Sequence, residues 1–312
     1  MSSPLVSVLV ITYNQEHLVR ETLASCLNQS FDDYEIVVSD DGSSDATPTI
    51  LREIQRENPT RVKLVLNPHN QGITANCNAG LAECSGSLIA LVGGDDLLMP
   101  EKLKRQTEAF AANPRLVLSY HPSRVLRNGR MSEVVGNRAK DVIRSQLDMI
   151  GNFGAQLPGP ATMVRSSAVP ADGFNADIKT ASDWMFFIDV TSNGSVERID
   201  QTLGIYRQHG GNIGARYFTY TDDFLTTLEL TGRKYGHLSG VHKAIRKGGS
   251  RFLLGAIYRS IEQGRNDLTK GYARELEKFA PRGLAVALGA LAVVPGVGWL
   301  FRRSKGLLKR FV

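Results

Sequence analysis

Cysteine is scarce in this 312-residue chain, with Cys26, Cys77 and Cys84 its only three. They form no CxxC pair and leave an odd number, so a disulfide framework and a cysteine zinc site are both disfavoured, and reduced thiols in a reducing compartment are expected. Low-complexity runs are missing, and 42% apolar content supports a sizeable core. The opening MSSPLVSVLVITYN lacks the basic n-region and cleavage site of a signal peptide. Its apolar run is too short for a bilayer and reads as a buried strand, so a cytoplasmic location is expected. Acids are absent from the last 32 residues, where Arg282, Arg302, Arg303, Lys305, Lys309 and Arg310 supply the whole net charge of +6. The preceding chain is therefore neutral, which disfavours a nucleic-acid partner, because such binders carry a basic face on their folded domain. No GxGxxG opens the first helix, which disfavours a dinucleotide-binding enzyme.

What is present is a βαβ rhythm over the first 120 residues. Strands are expected at Val6–Ile11, Tyr34–Ser39, Val62–Leu66, Leu88–Val92 and Leu116–Tyr120. Helices are expected at Glu16–Gln29, Ala46–Glu57, Ile73–Cys84 and Pro100–Ala112. Asn128-Gly129 predicts a hairpin between Arg124–Arg127 and Arg130–Val135. Beyond it come a short helix near 141–150, a strand at Ala161–Arg165, a helix from Ser182, one strand over Val196–Tyr206, and helices through 220–280. The expected fold is α/β, a mixed central sheet flanked by helices with a C-terminal helical extension. The expected divisions are residues 1–215, 216–280 and 281–312.

Two acidic pairs carry the chemistry. Asp40-Asp41 ends the second strand and Asp95-Asp96 follows the fourth, after Gly93-Gly94. Parallel strands bring both pairs to one carboxyl edge, where open α/β sheets bind ligands. Gathered carboxylates repel unless a cation or hydrogen-bond donors stabilise them, and hard oxygens suit Mg²⁺ or Mn²⁺. One Asp-Asp-Gly-Ser run alone reads equally as a turn or helix cap; two pairs at equivalent strand ends favour a shared site.

The segments SVLVITYN, EIVVSDDGSSDAT, NQGITANCNAGLAECSGSLIALVGGDDLLMPEKL, PGPATMVR, SDW and YRQHGGN, in that order, resemble the inverting glycosyltransferases of family two with the Rossmann-like GT-A fold, over roughly residues 5–213. The resemblance implies a nucleotide-diphosphate sugar donor. Thr12, Tyr13 and Asn14 would line the base pocket, Asp40 and Asp41 would bind base and ribose, and Asn70 and Asn78 would lie nearby. Asp95 matches the last acid of the family's DXD motif and would ligate Mg²⁺ or Mn²⁺, with Asp96 assisting. An acid often stands where this chain has Gly93, and an arginine often stands where it has Cys77.

Asp183, in Ser182-Asp183-Trp184, matches the family's base, and a first-turn position lets the helix dipole stabilise its anion. Helix capping by Ser182 is the bland alternative. Trp184 reads as an acceptor platform or as a core residue. His209 would contact metal or phosphate, Arg207 a phosphate, and Gly210-Gly211-Asn212 fits a mobile loop. The acceptor implied is a glycan or a lipid-linked sugar, as in bacterial surface-polysaccharide assembly. Gly283–Phe301 is uncharged but interrupted by Pro295-Gly296. It reads as an interfacial or re-entrant segment on the inner membrane face, or as an apolar helix packed on the domain. The rival functions are a non-catalytic sugar-nucleotide-binding protein and a nucleotidyltransferase-like enzyme.

Overall fold

A computed structural model describes residues 3–136, 142–152, 157–209, 218 and 220–291. The chain divides into two compact units: Met1–Met149 with Gly154–Ala215, and Ile150–Phe153 with Arg216–Val312.

The first unit alternates β1 (Val6–Thr12), α1 (Val19–Leu27), β2 (Tyr34–Asp40), α2 (Thr47–Glu57), β3 (Val62–Leu66), α3 (Ile73–Leu81) and β4 (Leu88–Gly93). It continues with β5 (Leu97–Leu98), α4 (Lys102–Ala112), β6 (Leu116–Tyr120), β7 (Ser123–Arg127), β8 (Arg130–Val135) and the start of α5 (Gln146–Gly151), whose Ile150 and Gly151 belong to the second unit. β9 (Met163–Arg165), α6 (Asp183–Val190), β10 (Ser195–Arg198) and β11 (Gly204–Gln208) complete it. Among the described residues a seven-stranded sheet has the order β10-β6-β9-β4-β1-β2-β3, and a four-stranded sheet the order β5-β11-β7-β8. Only β9 runs against its neighbours in the larger sheet. β1 and β2 are covered on both faces, so successive residues Val8, Leu9 and Val10 on β1 are all fully buried, as are Ile36, Val37 and Val38 on β2. Leu23, Leu51 and Leu103 from the flanking helices join Val8, Val10 and Met163 in one core.

Two expectations are corrected. α1 begins at Val19 rather than Glu16, because the backbone N–H groups of Asn14, Gln15 and Glu16 donate to Ser43 Oγ (2.8 Å), Thr47 Oγ1 (2.8 Å) and Asp45 Oδ2 (3.1 Å). Those donors serve a loop–loop contact that helical periodicity cannot register. The single strand expected over Val196–Tyr206 is two strands in different sheets: β10 pairs with β6, and β11 with β5 and β7. The hairpin turn is as expected, with Asn128 and Gly129 both at positive φ (50° and 72°), the pattern of a type I′ turn.

The second unit contains α7 (Thr221–Tyr235), α8 (Val241–Glu262), α9 (Asn266–Leu276) and α10 (Arg282–Leu291). Phe252, Leu253, Ala256, Tyr272 and Leu276 form its core, and Phe224 stacks on Phe252 with ring centroids 4.1 Å apart. α10 buries Ala285 in that core but leaves Leu284 and Val286 exposed. No helix among the described residues is long and apolar enough to cross a membrane.

Candidate active site

Sheet register assembles the site. Thr12, the last residue of β1, pairs with Asp40 of β2 on one side, while Ile11 pairs with Gly93 of β4 on the other. Strand order reverses at β1, the switch point where α/β sheets open a crevice. Past the strand ends the backbone stays joined: Asp41 N–H donates to Thr12 O (3.1 Å) and Gly94 N–H to Ile11 O (2.8 Å). Asn76 of α3 ties this edge from beneath. Its buried amide donates to Ser39 O (3.1 Å) and accepts from Ser39 Oγ (2.6 Å) and Asn67 Nδ2 (2.9 Å). Sequence reading passed Asn76 over; an asparagine inside a helix, where its propensity is poor, was the available signal.

The first acidic pair is buried and shapes loops. Asp40 accepts from Ser43 N–H (3.0 Å) and Ser43 Oγ (2.5 Å), while Asp41 accepts from the N–H groups of Gln71 (2.8 Å) and Gly72 (3.0 Å). Tyr13 is 45% exposed beside them, a ring free to stack on a flat ligand. Asn14 adopts positive φ and its Oδ1 accepts from Ser44 N–H (2.9 Å). Asn70 is exposed at the rim. Asn78 stands apart from the edge's polar cluster: its amide clamps the backbone of Phe174 from both ends, at 2.7 and 2.8 Å.

The second pair meets the end of β11. His209 Nε2 lies 2.8 Å from Asp95 Oδ2, and Arg207 N–H donates to Asp96 Oδ1 (2.9 Å). Arg207 also holds Glu21 of α1 at 2.7 Å. A β-carbon at Gly93 would stand 2.7 Å from Asp95 Oδ1, and one at Gly159 would stand 2.4 Å from Asp96 Oδ2. Both glycines therefore make room for carboxylates. Burial raises the Asp96 carboxyl well above its ordinary value and the charge of Asp95 adds to this, against the N–H and charge of Arg207. Asp95 and His209 offer a hard oxygen and an imidazole at one point, a pair that fits Mn²⁺ or Mg²⁺ when diphosphate oxygens and waters fill the remaining positions. No cluster of three or more such ligands exists among the described residues. The loop 210–212 lies outside them.

Asp183 opens α6, next to Ser182 at the N-cap. Thr74 Oγ1 donates its one hydrogen to the carbonyls of Ile178 (2.6 Å) and Lys179 (3.0 Å) and can accept from Ser182 Oγ, 2.9 Å away, so α3 anchors the approach to α6. Asp183 is exposed at the head of the helix. Reduced hydration raises its carboxyl above the ordinary value, against the N–H groups of Trp184 and of Asp183 itself. The charges of Asp183 and Asp41 are both felt at the Cys77 thiol, which burial chiefly pushes up to about 12. Trp184 is buried with its indole N–H on Met149 O (2.8 Å), so the acceptor-platform reading gives way to the core one.

Known proteins resemble this chain in sequence and in fold. The profile of glycosyl transferase family 2 matches residues 7–150. An uncharacterized glycosyltransferase of Haemophilus influenzae is 34% identical over 191 residues, covering 61% of this chain and 72% of that protein. The chain belongs to glycosyl transferase family 2. This glycosyltransferase has the GT-A fold. It superposes on the first 349 residues of S. aureus TarS, in complex with UDP-GlcNAc, with TM-score 0.71 and 18% identity, covering 96% and 92% of the two chains. It also superposes on the mannosyltransferase PcManGT of Pyrobaculum calidifontis, in complex with GDP-Man and Mn²⁺, with TM-score 0.65 and 17% identity, covering 99% and 81%.

Beneath the acids the glycosyltransferase holds a buried network that its sequence did not announce. Lys102, fully buried, donates to Gln106 Oε1 and to Thr162 O (3.4 Å). Gln106 Nε2 donates to Ser119 Oγ (3.0 Å) and Ala161 O (3.2 Å), fixing the turn Gly159–Ala161 that abuts Asp96. Burial lowers the Lys102 amine from 10.5 to about 7. Between those values the unfolded chain carries a proton that the native chain lacks, so stability rises with pH across the window and is level below it. Lys102→Met is expected to lose this slope. The wild type should gain on the variant by up to about 1.4 kcal/mol per pH unit between pH 7 and 10. Parallel pH dependences in denaturant melts would refute the buried amine.

Proposed function

We propose that this glycosyltransferase is inverting, takes its sugar from a nucleoside-diphosphate donor held with Mg²⁺ or Mn²⁺, and delivers it to a hydroxyl of a glycan or lipid-linked acceptor in surface-polysaccharide synthesis. The observation that carries the reading is the gathering of Asp40, Asp41, Asp95 and Asp96 along one sheet edge, with Thr74 of α3 tying down the start of the helix that presents Asp183. The donor complexes of TarS and PcManGT, proteins of the same fold, support the donor class.

Tyr13, Asn14 and the loops shaped by Asp40 and Asp41 receive the nucleoside, with Asn70 at the rim. Asp183 accepts the proton of the acceptor hydroxyl as its oxygen attacks the anomeric carbon. The new C–O bond forms on the face opposite the departing nucleoside diphosphate, so the configuration inverts. Asp95 and His209 would hold the cation, which neutralises charge on the leaving diphosphate when bound. Asp96 keeps Arg207 and the end of β11 in place, and Arg207 reaches phosphate by releasing Glu21. The chain end supplies a membrane contact on the inner face: α10 exposes Leu284 and Val286, the sequence stays uncharged to Phe301, and five basic residues follow. Residues 292–312 lie outside the described structure.

The test is thermal unfolding with UDP-, GDP- and dTDP-sugars, with and without Mn²⁺. A ligand bound only by the native state at 100 times its Kd adds about 2.7 kcal/mol of stability. One nucleotide class should shift the wild type only when metal is present, and Asp95→Asn should lose that shift. Equal shifts with and without metal, or in the variant, would remove the metal from the proposal.

A further inference from the structure

We propose that the basic face of α8 is a phosphate-binding site centred on Lys247 and Arg251, with Lys243 and Arg246 beside them. α8 carries five Lys or Arg residues against one acid, Glu262. Positions 243, 246, 247 and 251 recur at helical spacing, so four of the five share one face. Lys243, Arg246 and Lys247 are exposed.

The decisive geometry is at Asn152. Its side chain is buried, and its Oδ1 accepts from both Lys247 Nζ (2.9 Å) and Arg251 Nη1 (3.0 Å). One neutral oxygen thus holds two cationic nitrogens, at most about 6 Å apart, where like charges repel. A carbonyl oxygen orients such donors but neutralises neither. Among the described residues no ion pair is formed by Lys243, Arg246 or Lys247. A guanidinium fork and an ammonium fixed side by side match the oxygens of one phosphate group. That group belongs to a lipid headgroup or to a free phosphate ester, and the chemistry is the same for both. The inference is independent of the donor-site reading.

The experiment compares the full chain with Lys247→Gln/Arg251→Gln. One arm measures thermal unfolding in inorganic phosphate with a chelator present, which silences metal-dependent diphosphate binding. The other measures co-flotation with phosphatidylcholine vesicles, with and without phosphatidylglycerol. Each protein is compared with itself in phosphate-free buffer, so a change in baseline stability from the lost Asn152 hydrogen bonds does not enter the comparison. Lys247→Gln alone carries the test if the double variant does not fold. A phosphate-induced rise in Tm, or binding to anionic vesicles, that falls at least tenfold in apparent affinity in the variant supports the site. The arm that responds names the source. An undiminished response in the variant, no response of the wild type in either arm, or vesicle binding lost only on replacing Arg302 and Arg303 would overturn it.

Discussion

Replacing Asp183 with Asn is expected to abolish sugar transfer while leaving donor-induced thermal stabilisation intact. A positioned general base contributes about 10²- to 10⁴-fold, so kcat should fall by that order with the donor KM little changed. The amide keeps the shape at the head of α6 but cannot take a proton. The pH profile offers a second readout. The Asp183 carboxyl lies above the ordinary aspartate value because its hydration is reduced, and the base must be ionised. Wild-type kcat/KM should therefore decline, as pH falls, at a pH above the usual aspartate range near 3.9. That limb should vanish from the residual rate of the variant. Full activity in Asp183→Asn would leave the acid as a helix-capping neighbour of Ser182 and move the base elsewhere. Donor binding with no transfer by either protein would favour a sugar-nucleotide-binding protein.

The largest stability effect is expected at Gly42. Its φ is +67°, and a β-carbon there would lie 2.4 Å from His69 C, 2.6 Å from His69 Cα and 2.8 Å from Asn70 N. Those neighbours are backbone atoms and cannot rotate aside as a side-chain end could. Gly42→Ala combines a left-handed conformation, costing about 1–3 kcal/mol, with a collision that must shift the 69–70 loop. A loss of about 3 kcal/mol or more is expected in denaturant unfolding. Asp41 grips Gln71 and Gly72 in the same loop, so nucleotide-sugar affinity should fall even where the variant still folds. A variant within about 0.5 kcal/mol of wild type would show that the loop moves freely and does not shape the pocket.

The contrast between these two residues shows how far sequence reaches. Asp183 is a candidate on sequence alone because a first-turn acid after a serine is a local pattern, and because SDW falls in order among other motifs; Ser182 takes the N-cap position without a side-chain cap hydrogen bond. Gly42 was legible only as turn composition. That it faces the backbone of residues 69–70 depends on two loops from different strands meeting in space. Asn76, Thr74, Lys102 and Gly159 were missed for the same reason. Each acts on residues brought close by the sheet, and nothing in the adjacent sequence marks a buried lysine as different from the solvated Lys104 two positions later. Trp184 shows the converse: an acceptor platform or a core residue by motif, it is buried with its indole N–H on Met149 O.

By itself the sequence determined the parallel strands, the edge at which both acidic pairs emerge, the Asn128-Gly129 turn and the family. All of these follow from period, local turn chemistry and motif order. Only the tertiary structure decided that Val196–Tyr206 splits between two sheets, that β11 returns His209 and Arg207 to Asp95 and Asp96, and that Lys247 and Arg251 converge on Asn152. Such contacts join residues tens to more than a hundred positions apart, and closing those loops rests on burial summed over the whole core rather than on any local preference.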